Sequence, residues 1–356
     1  MHALVVTPGA ARSTRVEHVE EPNLHAGEVL VRVLEVGVCG TDREIDHGLF
    51  GIAPEGEEML VIGHELLGVV ERDAAGFSRG DLVAATVRRS CGHCLACAEA
   101  SPDSCLTGDY RERGITRLHG FARELVAEAA GELVPIPSSL GRLGVLAEPT
   151  SICARALRHA RTIGGRQPWA LRRALVIGAG AIGLLATYLL RLEDVEVWTA
   201  SLEPGNELVE AAGARYVSTG ETPLSELGAF DLVLEAAGNA QVMADALGLL
   251  GRGGVACLLG IDGREQRVGV DGRVLGLDTI LQNRVLFGSV NAQRQDWLAA
   301  VDALDRAHRR WPDALEAFVR LRVPLDGFSQ AFAERGGKAT LVVGERGGAR
   351  SAGQAR

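Results

Sequence analysis

The sequence predicts an α/β protein in two units: a doubly wound parallel sheet, and a mostly antiparallel β unit with long loops. Three observations carry this reading. Over residues 1–150, short β-branched runs at 29–33, 68–70 and 81–84 alternate with Gly and Pro, the spacing of small antiparallel sheets. Over 151–291 the pattern becomes strand, glycine turn, helix, repeated, with strands expected at 174–177, 195–199, 231–234, 255–259 and 285–287. Those runs are continuously apolar, as strands buried on both faces are, and their alternation with helices implies parallel pairing. Last, a helix expected over 295–319 leads to a strand over 339–343, and segment 292–345 is assigned back to the first unit. Residues 346–356 contain only Gly, Ala, Ser, Gln and Arg and are expected to be disordered.

Length and composition agree with two ordinary globular units: 356 residues, 47% hydrophobic and 23% charged. A net charge of −9 argues against nucleic acid or an anionic membrane as the partner and leaves a small polar molecule as the expected one. The start of the chain has no basic stretch followed by a long apolar run, and the run 179–190 is too short to span a bilayer. A cytoplasmic protein is expected. Of seven cysteines, four fall within fifteen residues, which in a reducing compartment suggests a metal rather than disulfides.

Cys91, Cys94, Cys97 and Cys105 stand in the loop 88–108 as Cys-x2-Cys-x2-Cys-x7-Cys. Two-residue spacers let successive thiolates turn onto one centre, and four thiolates match a closed tetrahedral zinc site that folds a loop. An iron–sulfur cluster is the rival, although nothing else in the chain implies electron transfer.

The strand at 174–177 runs into Gly178-Ala179-Gly180-Ala181-Ile182-Gly183 and then a helix. In that context the three glycines have separate tasks: a tight turn, close approach of a pyrophosphate, and close packing of helix on strand. The free N–H groups of the helix terminus complete a phosphate site, so a Rossmann-type dinucleotide fold is expected. The next strand ends at Ser201-Leu202-Glu203, with no Arg or Lys between 195 and 213. Glu203 suits a ribose diol, and the lack of a basic clamp favours NAD over NADP, unless Arg172, Arg173 or Arg215 reaches a 2′-phosphate.

Three more fragments supply one thiolate, one imidazole and carboxylates: Cys39 in 37–42, His64-Glu65, and Glu148 in 146–149. Each alone is ordinary; together they are the mixed set of an open catalytic zinc site, with Thr41 two residues past the cysteine as an exit for a proton.

On these fragments, with 86–89, 112–115 and 287–291, the chain resembles the medium-chain zinc-dependent alcohol/polyol dehydrogenases, and within them the archaeal-type glucose dehydrogenase branch. The resemblance implies a GroES-like first unit into which the C-terminal segment folds back. It implies two zinc ions per chain, the catalytic one held by Cys39, His64 and Glu148, with Glu65 an additional or exchanging ligand. It further implies a proton relay through Thr41, and substrate contacts from Thr41, Glu112 and Glu148. The cofactor would be NAD or NADP on the glycine turn, Ser201, Glu203, Gly260, Val290 and Asn291, and chains would pair as dimers or tetramers. Two departures stand out. Glu44 occupies the place of a relay histidine, leaving His47 as a surface residue. Asp296-Trp297 occupies the place where some members set a histidine against the sugar, which points to sugar-like polyols as a class rather than to glucose itself. The leading expectation is a sugar or polyol dehydrogenase. The alternative is a dehydrogenase or reductase of a simpler alcohol, amino alcohol or biosynthetic intermediate; a silent dinucleotide sensor is disfavoured by the complete ligand set.

Overall fold

The computed structural model describes residues 1–344, so the tail at 346–356 lies outside the described residues. The spine of the first unit is the strand Glu28–Val38. Val29, Val31 and Val33 face one core, and the pairing with Glu65–Val70 then slips by one residue between Val33 and Glu35. An inserted residue swaps the faces of a strand. Beyond the bulge Val36 and Val38 therefore occupy the core that the odd-numbered valines filled, while Leu34 packs into the other cluster.

This spine pairs antiparallel with Glu65–Val70, Leu125–Ala129 and Lys338–Val342, and the sheet continues through Leu82–Ala85 and Leu133–Pro135. Its far edge is Val319–Pro324, parallel to Lys338–Val342. That edge strand corrects the helix expected over 295–319. The segment forms two helices, Arg294–Arg310 and Pro312–Phe318, and Val319 already belongs to the strand. Pro312 cannot donate into a continuing helix but suits a first turn, so the chain breaks at Trp311 and restarts.

The second unit is a six-stranded parallel sheet in the order Arg215–Ser218, Glu196–Ser201, Arg173–Ile177, Phe230–Glu235, Leu250–Leu258, Val285–Gly288. Such an order reverses direction beside Arg173–Ile177, and ligands of doubly wound sheets bind at that switch point, outside the carboxyl ends of the strands. The strand Arg215–Ser218 was not expected: it is short, lies at an edge, and only Val217 is buried.

No flexible linker divides the units. Residue 150 falls inside the helix Ala147–Gly164, and one hydrophobic cluster joins Leu34 and Leu67 of the first sheet to Leu184 and Leu185 of the second unit and Trp297 and Leu304 of the helix Arg294–Arg310. That last helix packs against Ala147–Gly164 at the seam, so of 292–345 only the closing strands join the first sheet.

Candidate active site

Register alone brings the mixed donors together. The spine strand ends at Val38, one residue before Cys39. Gly37 pairs with Glu65, the first residue of its strand, which puts His64 beside Cys39. Ala339 pairs with Val38 on the other side and delivers Lys338 to the same end. Gly37 has to be glycine here, because a Cβ would lie 1.9 Å from Glu65 Oε2.

Cys39 Sγ and His64 Nε2 are 3.2 Å apart, and donor atoms of Cys39, His64 and Glu65 all lie within 4.8 Å of one another. Cys39 is also the N-cap of the helix Gly40–Asp46: its sulfur accepts from the N–H of Thr41 (3.2 Å), and Asp42 Oδ2 accepts from its N–H (2.9 Å). The other oxygen of Asp42 stands 3.6 Å from His64 Nδ1. A carboxylate behind the distal nitrogen leaves Nε2 to face the metal. Burial works against a charge on His64, yet Cys39 and Asp42 outweigh it and hold its pKa well above the usual histidine value. A soft thiolate, an oriented imidazole and a carboxylate converging on one point fit zinc.

Glu148 stands in the first turn of the helix Ala147–Gly164, buried and next to Glu65 and His64, but outside that close set. Burial and the neighbouring Glu65 push its carboxyl up to about 7. Glu65 in turn meets Lys338, whose Nζ lies 2.5 Å from the carboxylate and 3.2 Å from the Val38 carbonyl, both partners being 1% exposed. Burial opposes the Lys338 ammonium, but Glu65 and Cys39 keep its pKa above the usual value. Neither Asp42 nor Lys338 was singled out from the sequence. Lys338 left a signal: it is the only lysine in a chain with 37 basic Lys and Arg residues, and it opens an otherwise uncharged strand.

The four-cysteine lobe closes on itself. Cys91 and Cys97 sulfurs are 3.8 Å apart and those of Cys94 and Cys97 3.4 Å, with Cys105 in the same group. A tetrahedron with metal–sulfur bonds of about 2.3 Å has edges of about 3.8 Å, so one ion fits at the centre, whereas the inorganic core of an iron cluster would spread the thiolates. Two arginines tie the lobe to Val290 and Glu112. Arg155 bonds Asp103 (2.7 Å) and Ser104 (3.0 Å) in the lobe and the carbonyl of Val290. Arg88 bonds the Asp103 carbonyl (2.7 Å) and Glu112 (3.0 Å).

The glycine turn has the geometry its three tasks require. Gly178 has φ +103 and backs onto the Ala236–Ala237 backbone; a Cβ on Gly183 would lie 1.8 Å from the Gly178 carbonyl; Gly180 faces open space. Ala181, Ile182 and Gly183 form the first turn of the helix Ala181–Leu192, and their N–H groups lack intrahelical partners. Gly178, Ala179 and Gly180 line a cleft of about 1790 Å³ together with Ser201, Leu202 and Glu203. The Ser201 hydroxyl donates to Glu203, which holds the Glu203 carboxyl below its usual range. Gly260 packs on Gly238 behind the cleft and is not among its lining residues. Asn291 adopts φ +67 and donates to Glu112 Oε1 (3.1 Å), a bond between the two units across 179 residues of sequence. Asp296 caps its helix and pairs with Arg158 (2.6 Å), and Trp297 is buried in the core at the seam.

Comparison with known proteins agrees in both units. Residues 25–138 match the alcohol dehydrogenase GroES-like domain and residues 141–344 the glucose dehydrogenase C-terminus. The glucose 1-dehydrogenase of Methanocella arvoryzae is 42% identical over 342 residues, covering 93% of this chain and 95% of that protein. Glucose 1-dehydrogenase 1 of Caldivirga maquilingensis is 38% identical over 340 residues, with 93% and 95% covered. The solved structure of Haloferax mediterranei glucose dehydrogenase with NADP, Zn and gluconolactone superposes with a TM-score of 0.89 at 32% identity, covering 97% of this chain and all of that one.

Proposed function

This chain belongs to the zinc-dependent medium-chain dehydrogenases, in their glucose dehydrogenase branch, and from that premise we propose that it oxidises the anomeric hydroxyl of an aldose to the lactone, with NAD(P) as acceptor. Two observations support this: the convergent Cys39–His64–Glu65 donor set, and the Glu112–Asn291 hydrogen bond that joins the units. When bound, zinc supplies Lewis acidity and the dinucleotide supplies the hydride acceptor.

The chain's residues do the rest. Cys39, His64 and Glu65, with Glu148 beside them, are the ligands we assign to the catalytic ion; the four-cysteine lobe holds the second. Asp42 fixes the His64 ring. To Thr41, in the first turn beside Cys39, we assign a relay: its Oγ1 accepts the hydroxyl proton as its own proton passes on to solvent. Glu112, anchored by Arg88 and Asn291, keeps an acceptor fixed in direction for sugar hydroxyls, which is the kind of preorganised group that discriminates a polyol from an alkyl alcohol. Val285–Gly288 has a free edge, and Leu277, Ile280 and Leu281 nearby are exposed, which supports pairing of chains through the second unit. No helix among the described residues is long and apolar enough to cross a membrane, and seven free thiols suit a reducing, cytoplasmic setting.

A panel of aldoses, alditols and aliphatic alcohols, assayed with both cofactors, tests the proposal. Aldoses should give the highest kcat/KM and a lactone product. An aliphatic alcohol or alditol that outperforms every aldose would sink it.

A further inference from the structure

The dinucleotide cleft has a second wall, and it belongs to the first unit. All residues lining the cleft lie between 177 and 274 except three: Arg320, Arg335 and Gly336. Those three share the cleft with Ser201–Glu207 and Pro223–Ser225, and the helix Pro312–Phe318 that leads into the Arg320 strand packs on Glu207–Ala211 just past that turn.

The side chains there form a concentration of positive charge. Arg320 lies flat over the two glycines that precede Lys338, since a Cβ on Gly337 would come within 2.8 Å of Arg320 Cγ and one on Gly336 within 4.0 Å of its Cζ. Arg335 Nη1 donates to the carbonyls of Phe332 (2.7 Å) and Glu334 (2.8 Å). The same two carbonyls accept from Arg43 Nε (2.9 Å) and Nη2 (2.8 Å). Two guanidiniums thus share one pair of acceptors, and burial followed by the charge of Arg335 lowers the pKa of Arg43. Among the described residues no carboxylate lies within 4.0 Å of Arg43, Arg320 or Arg335. Arg264, the other arginine of the lining, is already neutralised by Asp262 at 2.8 and 2.7 Å.

The basic residues closest in sequence to the Ser201–Glu203 turn cannot serve. Arg172 and Arg173 precede or begin the strand whose carboxyl end meets Gly178, and Arg215 begins its own strand and stacks on Trp198. In a parallel sheet all three lie at the edge opposite the cleft.

We propose that Arg320 and Arg335 receive a phosphate on the adenosine 2′ position, so that this chain admits NADP through its first unit, although the turn on its second unit is built for NAD. The inference rests on the dinucleotide reading of the cleft. A 2′-phosphate needs charge-assisted donors, and a guanidinium presents them as a planar fork. On the Ser201 side it would find a hydroxyl already committed to Glu203 and a carboxylate that repels it. On the opposite side it finds guanidinium charge that no carboxylate has claimed.

The test is the binding of NADPH and NADH, by fluorescence of the reduced cofactor, to wild type and to the double variant Arg320→Ala/Arg335→Ala. Wild type should bind both. In the variant the Kd for NADPH should rise about tenfold or more, with a shallower dependence on salt, while that for NADH stays within about twofold. Retained NADH binding also reports that the variant is folded. Adenosine 2′,5′-bisphosphate should compete with NADH in wild type and lose that ability in the variant by a similar factor. Equal weakening of both cofactors, no change in either, or a wild type that binds NADH but not NADPH would each overturn the proposal. Failure of wild type to bind either cofactor would instead remove the dinucleotide reading beneath it.

Discussion

Cys39→Ser should leave a folded protein that carries one zinc ion instead of two and turns over at roughly a thousandth of the wild-type rate or less, corresponding to about 4 kcal/mol of lost barrier lowering. The fold should survive because Cys39 has two tasks and serine can perform one of them. As N-cap of Gly40–Asp46 it accepts the Thr41 N–H, and serine is among the better N-cap residues. What serine lacks is a thiolate. Dinucleotide affinity should change by less than about twofold, because the phosphate site is built on Gly178–Gly183 in the other unit. Elemental analysis, steady-state assay and cofactor titration on the same preparation decide it. Two zinc ions still present, or cofactor affinity falling as far as turnover, would show that the division of labour is wrong.

Lys338→Met should cost roughly 3–5 kcal/mol of stability, the usual effect of removing one partner of a buried ion pair. Methionine roughly fills the space but, in protein stripped of zinc for the measurement, leaves the Glu65 carboxylate buried without its ammonium partner. Adding Glu65→Gln to Lys338→Met should return most of the loss, since the second change removes the stranded charge. Denaturant midpoints of wild type, both single variants and the double variant measure this. If Lys338→Met unfolds at the wild-type midpoint, the pair contributes nothing and Glu65 is held by other means.

What could be read from the sequence divides along a physical line. The glycine turn and the four cysteines are local: spacing alone decides which atoms can meet, and Gly178 and Gly183 show the tight turn and close packing their positions imply. The break at Trp311–Pro312 is also local, but the apolar periodicity of 295–319 continues across it and masks it. The rest depends on long-range register. Lys338 reaches Glu65 only because Ala339 pairs with Val38, a match across some 300 residues that no short pattern specifies. Arg320 and Arg335 come to line the same cleft as Gly178 and Ser201 only once the two units pack together. Of the cofactor residues the resemblance implied, Ser201 and Glu203 lie on the cleft and Gly260 behind it, a distinction set by how the loop folds on Gly238. Glu148 was a sound candidate by chemistry, yet its distance from the close donor set depends on how the helix Ala147–Gly164 docks.

The solitary lysine has a practical consequence for anyone handling this protein. With every other basic side chain an arginine or histidine, Lys338 is the chain's single ε-amine, and in the folded state it is sealed between Glu65 and the Val38 carbonyl. Acylating labels, amine crosslinkers and amine-coupled sensor surfaces have no side-chain handle on the native molecule. Acylation at position 338 becomes a clock instead. It can proceed only while the closing strand has parted from the spine, so its rate in excess reagent measures how often that sheet opens.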